Sequence, residues 1–127
     1  MDTKQIMQAF PPAPDGQVTL ANWREPVFSR WSFSHVRQIL PTAPIHAGTD
    51  SHAIEQAGEA IGDLTFTHQG VTYQLDQWLD ASRTDAFLVM HRGKLAFEWF
   101  GGWGAANRQH IIFSVSKSLT ALLAGIL

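Results

Sequence analysis

Hydrophobic and polar positions change their spacing several times along the 127-residue chain, and each change marks an element. Residues 64–75, LTFTHQGVTYQL, set β-branched and aromatic side chains on either side of Gln-Gly and predict a short hairpin leading into DQWLDASRT. The clearest pattern is TDAFLVMHRGKLAFEWFGGW, residues 84–103. An apolar run at 86–90 meets His-Arg-Gly-Lys and resumes as Leu95-Ala96-Phe97-Glu98-Trp99-Phe100. This predicts two strands around a tight turn in which Gly93 takes a positive φ. The first strand is apolar at successive positions, so it is expected to be central or covered on both faces. GGWGAANRQH then reads as a loop, and IIF enters a closing helix. From Leu119 the apolar positions 119, 122, 123, 126 and 127 form one amphipathic stripe.

Upstream the pattern is less regular. Residues 19–45, TLANWREPVFSRWSFSHVRQILPTAPI, carry Trp23, Phe28, Trp31 and Phe33 and read as an aromatic arm packed over a larger body. Within it SFSHVRQIL predicts a short helix, with Ser32 or Ser34 as N-cap and Pro41 just past its end. Pro11, Pro12 and Pro14, followed by Asp15-Gly16, predict extended or mobile chain. Residues 46–63 read as loop with a weak helical turn. The resulting segments are 1–18, a flexible Pro-rich terminus, 19–63, the arm, and 64–127, the start of a mixed helix and strand domain.

Composition narrows the function. Hydrophobic residues are 45% and charged residues 16%, a globular balance. The net charge of −2 leaves no basic excess for phosphates and argues against nucleic-acid binding as the main role. The absence of cysteine removes disulfides, thiolate zinc sites and thiol nucleophiles, and fits a reducing compartment. The N-terminus lacks a charged-then-apolar signal pattern, and no apolar run is long enough to cross a bilayer, so a soluble cytoplasmic protein is expected. His46, Asp50 and His52 match no common ligand spacing. No metal or cofactor is expected.

The candidate chemistry lies in FSVSKSLTALLAGIL, residues 113–127. If the helix already turns at Ser114, then Ser114 and Lys117 sit one turn apart on the same face. A hydroxyl becomes a nucleophile when a neighbouring base removes its proton, and a lysine amine is that base once burial favours its neutral form. A helix N-terminus also offers free N–H groups and a positive dipole end to an oxyanion. The spacing alone is weak, because 8 serines and 3 lysines give a chance expectation of roughly 0.2 matches. The plain alternative is a serine cap followed by a solvated lysine, in a packing or interaction domain without catalysis. The setting favours chemistry: a hairpin and a Gly-rich loop lead into a helix with an apolar stripe, as expected for Ser-x-x-Lys in acyl-transfer enzymes.

On these residues the sequence resembles the penicillin-recognising serine hydrolases, which include class C β-lactamases, D-amino-acid peptidases and related esterases. FSVSKSLTALLAGIL looks like their active-site helix, and TDAFLVMHRGKLAFEWF like the strand pair before it. NWREPVFSRWSFSHVRQILPTAPI is similar to the arm of the 6-aminohexanoate-dimer hydrolase branch. The resemblance covers about residues 20–45 and 84–127, with 46–83 matching poorly. It implies an α+β fold, the N-terminal portion of a β-lactamase-like domain with antiparallel strands and the active-site helix, incomplete as given. It implies Ser114 as nucleophile, Lys117 as its partner and the Ser114 N–H as an oxyanion donor. It implies a small amide or ester substrate, with β-lactam or D-amino-acid peptide hydrolysis as alternatives. The family's tyrosine and its Lys/His-x-Gly strand normally lie beyond residue 127, and Tyr73 is not assigned to that role. The expected partner is a missing C-terminal part of the same enzyme, and a homodimer is allowed. Without that tyrosine and a second oxyanion donor the 127 residues are expected to be inactive alone, and the helix, with little chain left to cover its stripe, is expected to expose apolar surface.

Overall fold

Two Xaa-Gly dipeptides organise the strands. Gln69 and Gly70 have φ of 50° and 78°, and Arg92 and Gly93 have φ of 51° and 79°. Positive φ at both central residues is the two-residue turn whose twist matches a right-handed strand pair. In the computed structural model, which describes residues 5–46, 48–50, 53–57 and 61–127, each turn joins an antiparallel hairpin. The first pairs β1, Thr65–His68, with β2, Val71–Gln74. The second pairs β3, Ala86–His91, with β4, Lys94–Phe100. Both match the sequence expectation.

The second hairpin carries a bulge. Val89 opposes Phe97 while Met90 opposes Leu95, so Ala96 is the extra residue of β4. Such a bulge turns two successive side chains to one side, and Leu95 and Ala96 are both buried. The free edge of β4 is met by the segment around Gln56, which runs parallel to it. Leu95 N donates to Glu55 O at 2.8 Å, and Ala57 N donates to Leu95 O at 2.9 Å. The weak helical turn expected in 46–63 falls partly on residues 58–60, outside the described residues. Strand β3 is not covered on both faces: Leu88 and Met90 are 51% and 50% exposed. Its single strand partner among the described residues is β4, so the other edge and much of one face stay open.

Among the described residues the α-helices are α1, Ser29–Ser32, α2, Leu75–Ala81, and α3, Val115–Ala124. Helix α2 buries Leu79 and sets Trp78 edge-on to Phe66, which stacks on Tyr73 across the first hairpin. The single helix expected over 32–40 is instead α1 followed by a 3-10 turn at Val36–Gln38. Neither Ser32 nor Ser34 caps it. The buried Ser32 hydroxyl donates to the Trp23 carbonyl at 2.5 Å, and His35 Nδ1 donates to the Trp31 carbonyl at 2.6 Å. These local bonds compete with a continuous helix.

The core lies in the arm itself. Ile6, Val18, Trp23, Phe28 and Trp31 are buried together, with Met7, Phe33, Ile39, Trp103 and Ile111 packed against them. Ile6 and Val18 therefore draw the Pro-rich segment into the core, where the sequence suggests extended chain. Trp103 and Ile111 attach the Gly-rich loop and the approach to α3. No helix among the described residues is long and apolar enough to cross a membrane.

Candidate active site

The approach to α3 is fixed at one carboxylate. Asp85, just ahead of β3, accepts from Arg30 Nε at 2.9 Å and from the Trp103 N–H at 3.4 Å, and His110 Nε2 faces it at 3.3 Å. Arg30 also donates to the Thr84 carbonyl at 3.3 Å. Arm, strand and loop thus meet at Asp85. The loop comes so close that a Cβ on Gly104 would lie 1.6 Å from the Asp85 carbonyl oxygen. That is why a glycine stands there.

Beyond His110 the chain is tied back to the arm. Ile111 N donates to Phe33 O at 2.8 Å. A groove of about 620 Å³ runs between these segments, walled by Phe33, Val36, Ile45, His110, Ile111 and Ile112. Val115 N donates to Ile112 O at 3.0 Å, closing a turn over residues 112–115. Phe113 has φ of +42°, and Ser114 has φ and ψ of −69° and −9°. The turn thus has positive φ at its first central residue and right-handed helical backbone at its second. Helix α3 starts directly from it.

Ser114 occupies the N-cap position of α3, but its side chain makes no capping bond. Its Oγ instead accepts from Lys117 Nζ at 2.9 Å. This is the juxtaposition that the i, i+3 spacing suggests. The Ser114 N–H has no acceptor among the described residues, whereas Val115, Ser116 and Lys117 donate to the carbonyls of Ile112, Phe113 and Ser114. Ser116 is spent on the turn, its Oγ donating to Phe113 O at 2.6 Å. Ser114 and Lys117 are both exposed. The burial expected to favour a neutral amine is not provided by the described residues.

The apolar stripe of α3 is also open. Leu119, Leu122, Leu123 and Ile126 are 52% to 81% exposed. Tyr73 lies on β2, stacked on Phe66. Of His46, Asp50 and His52, the last is outside the described residues, and no group of three potential ligands exists among those described. Sequence reading did not find the Arg30–Asp85–His110 cluster or the turn at Phe113. Arg30 and Asp85 are 55 positions apart, with no local pattern to link them. The one trace of the turn was the switch from IIF to helical spacing.

No protein-family model matches the chain. It is 31% identical over 125 residues to the 6-aminohexanoate-dimer hydrolase of Paenarthrobacter ureafaciens, a match that covers 98% of this chain and 31% of that protein. The match therefore includes residues 46–83, which the sequence motifs had left out. In structure, the chain superposes with a TM-score of 0.74 on a Bacillus anthracis protein provisionally assigned as a 6-aminohexanoate-dimer hydrolase. That likeness has 25% identity and covers 81% of this chain and 27% of the other. The chain thus spans about a third of the length of the curated relative that it matches. In sequence and in its mixed helix and antiparallel-strand fold, the chain is similar to a part of each of these two proteins.

Proposed function

We propose that this chain supplies the nucleophile and its lysine partner to a serine hydrolase of small linear amides or esters. One observation carries the reading: Lys117 Nζ lies 2.9 Å from Ser114 Oγ at the start of α3. The Ser114 hydroxyl makes no capping bond and its N–H has no acceptor among the described residues, which supports the reading, since a purely structural cap would bond back to the helix. The likeness to proteins named for 6-aminohexanoate-dimer hydrolysis supports the substrate class.

The chemistry follows from those positions. Lys117, as the neutral amine, takes the Ser114 proton while Oγ bonds to the substrate carbonyl carbon. The carbonyl oxygen becomes an oxyanion beside the Ser114 N–H and the positive end of α3. The intermediate collapses, the C–N or C–O bond breaks, and the leaving amine or alcohol takes the proton back from Lys117. Water then attacks the acyl-Ser114 ester, releases the acid and restores the hydroxyl. A second oxyanion donor and a tyrosine of the kind used by related hydrolases would come from outside these 127 residues. The chain alone is therefore inactive in this scheme. We place the protein in the cytoplasm.

A fluorophosphonate probe tests the nucleophile in the full reading frame. One adduct that maps to Ser114, and is lost in Ser114→Ala, is the expected result. An unlabelled protein would sink the proposal. Lys117→Ala is expected to slow labelling by about 10²-fold or more, the range for loss of a positioned base. Hydrolysis of a short-chain p-nitrophenyl ester in preference to a chromogenic cephalosporin separates this reading from β-lactamase activity.

A further inference from the structure

We propose that Phe113 is a positioning residue for Ser114, held in its left-handed conformation by Trp23 and Phe33 of the arm. The inference rests on Ser114 being the nucleophile. Phe113 has φ of +42° at the first central position of the turn over residues 112–115, a conformation for which glycine is the ordinary choice. A bulky residue persists there only when its surroundings over-determine it, and such outliers cluster at functional sites.

The surroundings are two rings, Trp23 and Phe33. Trp23 stacks on Phe113 with centroids 6.3 Å apart and planes 20° apart. Phe33 meets the Phe113 ring edge-on at 5.1 Å, and Trp23 meets Phe33 edge-on at 6.0 Å. Trp23 is itself core, and Phe33 is pinned by the bond from Ile111 N. The Phe113 carbonyl is held from the other side by the Ser116 N–H and hydroxyl, at 3.1 and 2.6 Å.

The conformation matters for the chemistry. With an ordinary helical φ at 113, α3 could extend back through that residue. The Ser114 N–H would then enter the helix ladder and bond to a carbonyl four residues earlier. Positive φ at 113 ends the helix at Ser114 and leaves that N–H free for an oxyanion. The arm thus acts on the nucleophile through one aromatic side chain, at a distance from the reacting atoms.

The test compares Phe113→Ala with Phe113→Gly in the full reading frame. Both remove the ring, but only glycine enters positive φ freely. Ser114 labelling by a fluorophosphonate should be slower in the alanine variant than in the glycine variant by roughly five- to thirtyfold, the population penalty for an L residue in this region. Phe33→Leu should also slow labelling, and Phe113→Gly added to it should restore the rate. This pair carries the test if the alanine variant fails to fold. A ring needed only for packing gives equal rates for alanine and glycine at 113, or a slower glycine variant, and either result overturns the proposal. Failure of wild-type protein to label removes the nucleophile and overturns the underlying reading as well, a distinct result.

Discussion

Two ion pairs in this chain rank in opposite orders by distance and by burial, and their removal decides which measure matters. Lys94 Nζ and Glu55 Oε1 are 2.5 Å apart, closer than Arg30 Nε and Asp85 Oδ1 at 2.9 Å. The Lys94 and Glu55 side chains are 46% and 68% exposed, whereas those of Arg30 and Asp85 are 17% and 9% exposed. An exposed pair contributes about 0–1 kcal/mol, because water screens it and two long side chains lose freedom. Breaking a buried pair costs about 3–5 kcal/mol, since the remaining charge is left without compensation. Arg30 would keep the Thr84 carbonyl at 3.3 Å and the exposed Asp80 at 4.0 Å. That compensation lowers the expected cost of Asp85→Asn to about 2–4 kcal/mol, against less than about 1 for Glu55→Gln. Urea unfolding at unchanged slope measures both. A double-mutant cycle with Arg30→Met should return a coupling of about 2 kcal/mol or more at Asp85. Equal costs for the two carboxylates would refute the reasoning, and so would a loss below about 1 kcal/mol at Asp85.

The same substitution should also differ by place in the leucines. Leu79→Ala, at a fully buried site, is expected to cost about 2–5 kcal/mol, whereas Leu122→Ala, at a site 67% exposed in the 127-residue chain, should stay within about 0.5 kcal/mol; similar unfolding midpoints would contradict the burial assignments. Ser32→Ala removes the donor to the Trp23 carbonyl and should cost about 1–3 kcal/mol in the same assay, with a neutral result showing that the carbonyl finds another partner. Gly104→Ala forces a Cβ onto the Asp85 carbonyl and should lower the melting temperature, whereas an unchanged value would mean that the loop yields freely.

Local chemistry was legible in the sequence wherever a few adjacent residues determine it. Gly70 and Gly93 marked both hairpin turns, because glycine takes the positive φ of the second turn position freely. The contact between Ser114 and Lys117 was legible because helical spacing alone brings i and i+3 together. What depends on distant chain was not legible. The bulge at Ala96, the role of Ser32 as a tie to Trp23, and the meeting of Arg30 with Asp85 each need contacts that no local pattern encodes. Strand β3 misled for a related reason. Its apolar run shows what the strand can bury, and the described residues provide only β4 and part of one face.

Helix α3 combines a hydrophobic demand with a chemical one, and its geometry keeps them apart. At 100° per residue, the stripe through Val115, Leu119, Leu122, Leu123 and Ile126 is centred roughly 150° around the helix from the mid-direction of Ser114 and Lys117. Burying that stripe would gain about 1.5–3 kcal/mol for each large side chain removed from water. A body packed against it would therefore gain stability without touching the Ser–Lys pair. For Lys117 to act as the proposed base, its amine must be desolvated by something that approaches from the opposite side. On that side the Ser114 hydroxyl and its free N–H stand together at the helix start. In the proposed scheme the substrate arrives there, so the acyl donor itself also helps to exclude water from Lys117.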